Sequence, residues 1–542
     1  MGLAPYFSRV HDSIGAVAGV SADELTDLLL DLDVHIRLGR DTDGPAGLCG
    51  AELLTSLLAR LYPRLHISGA RTQVAHLVKV AMATNPEIEV NGPGDGRSVE
   101  IWFGVPRGLP VRDGRDETLH AVEVRAEGWR VVVDPPAAES GSAPGERDSE
   151  FPRHVSRPAS PLTWQVAACM AASEVFRYAF REMLGQGGRH HPQHGSFNLL
   201  DGGPDDVEVD TDLSGRQLPD LHLAGAGAIG QAALLALRAS GVRVTVTVVD
   251  PQAIELSNLQ RYVLSVPTDV GRSKVDLAVE AMEDSGVSVT PVQTVWGADE
   301  RSHPGQQVVL VALDSARDRL GVAAGMHRRI YNAWTQPTDL GWSRHEDFGT
   351  QPCLACLYLP THARPSEDEQ IAAALGMHRL RILSYFANNL PVGQPLSVVT
   401  PVGDVTAPAD ADTWLTRSLL ADLVSSGRIA ESTAAQWADS RIGQLYNDGV
   451  CGAGLLESTP GSLAHDVVVP LAHQSAMAGV MLAASAIVAN VPQLAAHRPP
   501  VTEMRLDLLS GLPQVLGRPR QRTPGCLCGD PVYLQVARGL WA

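Results

Sequence analysis

The stretch LHLAGAGAIGQAALLALRASGVRVTVTVVD, residues 221–250, decides the fold of this chain. A short apolar run leads into three glycines spaced Gly225-x-Gly227-x-x-Gly230. A helix of small and apolar residues follows, then a β-branched run over 242–249. That order reads as β-α-β and implies a parallel sheet. Glycines at the first turn allow backbone N–H groups to approach a phosphate at the positive end of the next helix. Twenty residues after Gly230, Asp250 ends the second strand, where a carboxylate can take ribose hydroxyls. Up to this point a nicotinamide-dependent dehydrogenase would read the same way.

The residues that follow separate the readings. DPQAIELSNLQRYVLSVPTDVGRSK (250–274) and the later strand VVLVALD (308–314) supply an aspartate-led strand end, Ser257-Asn258-Leu259-x-Arg261, Val270-Gly271-x-x-Lys274 and a strand closing on Asp314. With the glycine loop, this series over about 221–319 closely resembles the ThiF and ubiquitin-activating adenylyltransferase family, which includes the bacterial activators of sulfur-carrier proteins. The resemblance implies a site for ATP and Mg²⁺. Gly225, Gly227 and Gly230 would form the phosphate loop, and Asp250 would hold the ribose. Asn258, Arg261 and Lys274 would hold the triphosphate, and Asp314 the magnesium. Taken singly, Asn258 also reads as a turn or helix cap, Arg261 as a surface arginine, and Asp314 as a cap for the next helix. Two positions depart from the family pattern. Gln252 stands where Asp-x-Asp is frequent, and Tyr262 where glutamine usually follows the arginine. The family also draws an arginine from the partner lobe, for which Arg37 and Arg40 are the candidates.

Composition sets the outer limits. The chain has 542 residues, 44% hydrophobic and 19% charged, enough apolar material for more than one packed domain. Its net charge of −18 offers no footprint for nucleic acid or an anionic membrane. Only two of the 43 basic residues are lysine, Lys79 and Lys274. In a chain rich in Ala, Gly and Pro this points to a GC-rich coding bias. A retained lysine then suggests a role that a planar guanidinium would not fill. The first residues carry no charged-then-apolar signal segment. The apolar stretch 477–491 is too short and too interrupted for a span, so it reads as a buried helix. A cytoplasmic protein is expected.

A weak internal repeat runs through the chain. Leu65-His66-Ile67 resembles Leu221-His222-Leu223, segment 80–90 resembles 281–292, and strand 99–105 resembles 308–314. A helix opening at Pro161 resembles one following Pro470. In this alignment the first copy lacks two of the three loop glycines and the whole second strand. Val105 takes the place of the aspartate. With Pro- and Ser-rich stretches at 135–161 and 185–220, the expected organisation is a degenerate N-terminal pseudo-adenylation lobe at 1–184 and a linker at 185–220. An ATP-binding adenylation core follows at 221–360, an insertion at 361–465, and a return helix with a cysteine clip at 466–542. The fold class is α/β: a Rossmann-like parallel-sheet adenylation domain paired with a degenerate α/β lobe, plus an inserted helical region. The result is an internal pseudo-dimer, with a homodimer of such chains also open.

Seven cysteines are too few for a disulfide scaffold. Cys353-x-x-Cys356 and Cys526-x-Cys528 supply two close pairs suited to a structural tetrahedral Zn²⁺, although the second pair is one residue tighter than usual. Cys169 reads as core and Cys49 as structural. Cys451, in the glycine-rich NDGVCGAG of the insertion, is a candidate nucleophile that would take the acyl group as a thioester.

Together these features suggest ATP-dependent adenylation of the C-terminal carboxylate of a small ubiquitin-like or sulfur-carrier protein or a peptide, with no nucleic-acid or membrane partner. Two alternatives stand beside it. One is a peptide-modifying adenylyltransferase of natural-product biosynthesis that forms no enzyme thioester, as in microcin-type antibiotics. The other is a non-catalytic partner-binding scaffold of the same fold.

Overall fold

The computed structural model describes residues 4, 6, 22–94, 96–107, 120–135, 157–181, 194–302, 304–336, 339–359, 471–499, 501–509 and 516–541. It also describes 397–400, 403–406, 417, 420, 421, 423–425 and 430–439. The chain forms two compact units, Met1–Leu359 with Val469–Ala542, and Pro360–Val468. The described part of the second unit includes an antiparallel hairpin, helical residues between 417 and 425, and the helix Glu431–Trp437.

Two sheets make up the first unit. The first contains β1 (Leu32–Leu38), β2 (Arg64–Ser68), β3 (Glu89–Val90), β4 (Arg97–Phe103), β5 (His120–Glu127), β6 (Arg130–Asp134) and β7 (Gly195–Asn198). Its order is β3-β2-β1-β4-β5-β6-β7, parallel from β3 to β5 and antiparallel beyond. The second contains β8 (Leu221–Ala224), β9 (Val244–Val249), β10 (Val287–Val292), β11 (Val308–Val311), β12 (Arg329–Thr335) and β13 (Leu340–Glu346). After the hairpin β14 (Ser397–Thr400) and β15 (Gly403–Thr406) of the other unit, β16 (Glu503–Leu506) and β17 (Leu516–Arg518) complete it. Its order is β10-β9-β8-β11-β12-β13-β16-β17, with the same change from parallel to antiparallel after the fifth strand.

The matched strand orders correct the register of the repeat read from sequence. The strand that corresponds to β8 is β1, not Leu65–Ile67, which lies on β2 and corresponds to β9. The second strand of the repeat is therefore present in the first lobe, as β2. The lobe has also kept its glycines. Gly225 follows β8, Gly227 caps the helix Ala228–Ser240, and Gly230 is that helix's third residue. In the first lobe Gly39 follows β1, Gly44 caps the helix Pro45–Ala59, and Gly47 is its third residue. The difference is an insertion: Arg40–Asp43, a 3-10 turn, stands where the second lobe has Ala226 alone. The span 185–220 also contributes β7 and so is more than a linker.

The insertion fills its own loop. Asp41 Oδ1 accepts from Val105 N–H at 2.7 Å, Thr42 Oγ1 donates to Gly39 O at 2.8 Å, and Gln73 Nε2 donates to Thr42 O at 2.7 Å. A Cβ on Gly47 would lie 2.4 Å from Thr42 Cα. Where a phosphate would approach the helix end, this lobe has placed backbone and two carboxylates.

Long buried helices close each lobe and meet at the centre. Ser160 starts Pro161–Ala179 by accepting from Thr163 N–H at 3.1 Å, and proline occupies the first turn, where it needs no donor. Ala472–Asn490 is apolar enough to cross a membrane by length and composition, yet it is largely buried inside the protein. Both helices belong to one continuous apolar core shared by the two sheets. Gly479 lets Ala472–Asn490 approach Ala228–Ser240 so closely that a Cβ would lie 2.4 Å from Ile229 O.

Candidate nucleotide site and cysteine cluster

The glycine loop sits at the carboxyl end of β8, where parallel sheets gather ligands. Gly225 holds φ +95°, and a Cβ there would meet Ala312 O at 2.6 Å. A Cβ on Gly230 would lie 2.1 Å from Gly225 O, so the loop folds directly onto its own helix. Asp250 is buried and fixes the turn from beside it. Its Oδ2 accepts from Ala226 N–H at 2.8 Å and its Oδ1 from Gln252 N–H at 2.9 Å. Each oxygen keeps a further lone pair that a ribose hydroxyl can use.

The crossover after β9 carries the remaining candidates. Asn258 ends the short 3-10 helix Leu256–Asn258, and its Oδ1 accepts from Glu255 N–H at 3.0 Å. It therefore caps its own turn, leaving its amide donors for other partners. Arg261 follows, with its backbone N–H on Asn258 O at 3.1 Å. Lys274 begins the helix Lys274–Ala281 and is only 4% exposed. Its Nζ donates to Gln252 Oε1 at 2.6 Å and lies 5.2 Å from the centre of the Tyr262 ring. Tyr262 is itself buried, and its Oη lies 3.4 Å from where a Gly227 Cβ would be. The chain thus joins the glycine loop, Asp250, Gln252, Tyr262 and Lys274 in one continuous set of contacts. The two departures from the family pattern are the two residues that hold the lysine. The other lysine, Lys79, is exposed on the helix Arg71–Thr84.

Asp314 lies just past β11, next to the glycine loop through Ala312 and Leu313. Its carboxylate accepts no hydrogen bond from a described residue. Ser315, not Asp314, caps the following helix Ala316–Ala324, accepting from Asp318 N–H at 3.0 Å. Buried Arg319 anchors the backbone beside Asp314, donating to Leu313 O, to Ala333 O at 2.9 Å and to Asn332 Oδ1. Burial lowers its pKa, and Asp314 acts in the opposite direction.

The first lobe contributes through residues that stand outside every motif. Arg37, on the interior strand β1, pairs with Glu100 and lies over Trp102, and Arg40 belongs to the inserted turn just beyond that strand. The arginine that reaches the second lobe is Arg60, at the end of Pro45–Ala59 and 2% exposed. Its guanidinium donates to Leu259 O and, at 3.1 Å, to Ser265 O, bracketing Arg261 and Tyr262. Tyr6 packs with Ile254, Leu259, Tyr262 and Leu277, while its hydroxyl donates to Thr84 O at 2.8 Å. No local motif marks either residue.

The four paired cysteines converge. Cys353, Cys356, Cys526 and Cys528 are buried, and their sulfurs all lie within 4.8 Å of one another. Cys353 Sγ is 3.4 Å from Cys526 Sγ, and Cys356 Sγ is 3.5 Å from Cys528 Sγ. Four thiolates about 2.3 Å from a tetrahedral Zn²⁺ would stand about 3.8 Å apart, so the donor set fits that ion with small adjustments. Hydrogen bonding from Cys353, with help from Thr523 N–H, pulls the Cys356 thiol down from its ordinary value. Arg520 donates to Cys356 O at 3.0 Å and stiffens the knuckle. Cys169 is buried in the closing helix, and Cys49 donates to Ala46 O at 3.0 Å. Cys451 lies outside the described residues.

The sequence pattern of the ThiF family matches residues 219–489. Over 513 residues the chain is 31% identical to the uncharacterized protein y4jF of Sinorhizobium fredii (strain NBRC 101917 / NGR234), covering 90% of this chain and 87% of that one. Among solved structures, E. coli MccB with succinimide matches at 14% identity and a TM-score of 0.30, over 57% of this chain and 65% of that chain. E. coli MccB with MccA-N7isoASN matches at 15% and 0.34, over 76% and 98%. PaaA matches at 21% and 0.21, over 31% and 50%.

Proposed function

This chain belongs to the ThiF family, and from that premise we propose that it is an ATP-dependent adenylyltransferase acting on the C-terminal carboxylate of a peptide or small carrier protein. One observation carries the reading. Lys274 is a buried ammonium beside a phosphate-type glycine loop, and no described carboxylate pairs with it. A cation withdrawn from water without a counterion is costly unless an anion arrives to share the site.

The chemistry asks for such a cation. A carboxylate oxygen of the substrate bonds to the α-phosphorus of ATP, the bond from that phosphorus to its bridging oxygen breaks, and pyrophosphate leaves with the electron pair. The carboxylate is already ionised, so the enzyme need not take up a proton. Its task is to align two anions and neutralise their repulsion. In this reading Asp250 orients the ribose, and the backbone around Gly225, Gly227 and Gly230 faces the phosphates. Asn258, Arg261 and Lys274 hold the phosphate chain. Asp314 would hold Mg²⁺, which neutralises charge between phosphate oxygens when bound. Cys353, Cys356, Cys526 and Cys528 would hold Zn²⁺ as a structural clip. Cys451 is the proposed acyl acceptor; its thiol loses its proton to water and its sulfur bonds to the acyl carbon while the acyl–oxygen bond breaks and AMP departs with that electron pair. In the first lobe the turn Arg40–Asp43, with Gln73 bonded to Thr42, fills the corresponding helix end, so the described residues offer a single nucleotide site in this reading.

The test is pyrophosphate–ATP exchange that depends on an added peptide or carrier. Lys274→Ala should abolish it. Exchange by that variant at the wild-type rate would refute the assignment.

A further inference from the structure

We infer that Gln252 and Tyr262 form a neutral clamp that presents Lys274 to the phosphate chain as an uncompensated cation, making them positioning residues that set the affinity for nucleotide. This rests on the proposed nucleotide site and goes beyond it. A buried lysine ordinarily finds a carboxylate. Here its described partners are an amide oxygen at 2.6 Å and an aromatic face at 5.2 Å. Both fix the direction of the ammonium, and neither cancels its charge. The clamp is braced on both sides. The backbone N–H of Lys274 donates to Gln252 O at 3.1 Å, and Gln252 N–H donates to Asp250 at 2.9 Å. Tyr262 is locked among Ile254, Leu259 and Leu277 and abuts Gly227. The lysine is therefore registered against both the ribose carboxylate and the phosphate loop. The resembled family often places a carboxylate where this chain has Gln252. Such a group would lie within reach of Nζ and would have to be displaced by phosphate.

The experiment measures binding of ATP and of adenosine by calorimetry, without turnover, on the full chain and its variants. Gln252→Glu exchanges an amide for a carboxylate of the same shape beside Nζ. It should weaken ATP at least about tenfold, the scale of one competing partly buried ion pair, and leave adenosine within about twofold. Tyr262→Phe keeps the ring face and should bind ATP as wild type, whereas Tyr262→Leu removes that face and should weaken ATP several-fold. At saturating ATP, Gln252→Glu should recover most of its exchange rate, so the loss appears in KM more than in kcat. Equal weakening of ATP and adenosine would show a merely structural role and overturn the clamp. So would wild-type ATP binding by both Gln252→Glu and Tyr262→Leu while Lys274→Ala fails to bind. Wild-type ATP binding by Lys274→Ala would instead overturn the nucleotide-site reading itself.

Discussion

Replacing Arg60 with methionine tests whether the first lobe holds the crossover of the second in its working shape. Methionine keeps an apolar stem of similar reach and removes the guanidinium. Two charge-assisted hydrogen bonds are lost, to Leu259 O and Ser265 O. Bonds of this kind contribute about 1.5–3 kcal/mol each, so roughly 3–6 kcal/mol of holding energy disappears. Part of that is offset, because the variant no longer buries a cation that has no carboxylate partner among the described residues. A net local loss of about 2 kcal/mol follows, which is roughly a 30-fold rise in the open population of the segment. Hydrogen exchange read by mass spectrometry should show it in peptides covering 255–266, with 221–250 unchanged. The KM for ATP should rise with it, because Asn258 and Arg261 ride on the same segment. Arg60→Lys keeps the charge, loses the two-pronged geometry, and should fall between the two. Unchanged exchange at 255–266 would refute the reasoning, and so would equal loss of protection throughout both sheets.

Three further outcomes are expected. The purified chain should carry one zinc ion. Cys528→Ser should bring the metal content near zero and lower Tm by about 5 °C or more, which elemental analysis and calorimetry would check. Stability should fall on acidification below about pH 6.5. Burial lowers His327 to about 4 and His473 to about 3, so the unfolded chain binds protons that the folded one refuses. Each then costs about 1.4 kcal/mol per pH unit until its folded value is reached, with no contribution above pH 6.5. His473→Met should flatten that slope by about one proton in denaturant titrations at several pH values. Finally, Cys451→Ala should leave pyrophosphate exchange intact and remove a reducible enzyme–substrate adduct from intact-mass spectra. An adduct that persists would exclude this cysteine.

The parts of this molecule that could be read from the sequence are those whose chemistry is contiguous along the chain. The loop from Gly225 to Gly230, Asp250, and the crossover to Lys274 occupy some fifty residues, and their spacing is itself the signal. The cysteine pairs announced themselves for the same reason, since each is local even though the pairs are far apart. The first lobe hides its motif because four residues separate Gly39 from Gly44 where one separates Gly225 from Gly227. With the spacing broken, the Leu-x-Ile pattern of β2 stood in for that of β1. Arg60 and Tyr6 act only through tertiary contacts, and an arginine in a chain so rich in arginine carries no signal. Gln252 and Tyr262 were visible as exceptions to a pattern. Only the fold reveals that both exceptions fall on one ammonium group.

The turn Arg40–Asp43 has a consequence for how the two halves can change over time. In a protein built from two equivalent halves, every substitution at the seam is felt at two active centres. In the proposed reading the first half's cradle is filled by this turn, and its end of the seam answers to a single client. Residues such as Arg60 can then specialise as struts for the opposite centre without damaging a second one. Such an asymmetry is hard to reverse. Deleting the stopper would reopen a cradle whose neighbouring side chains have already been committed to support.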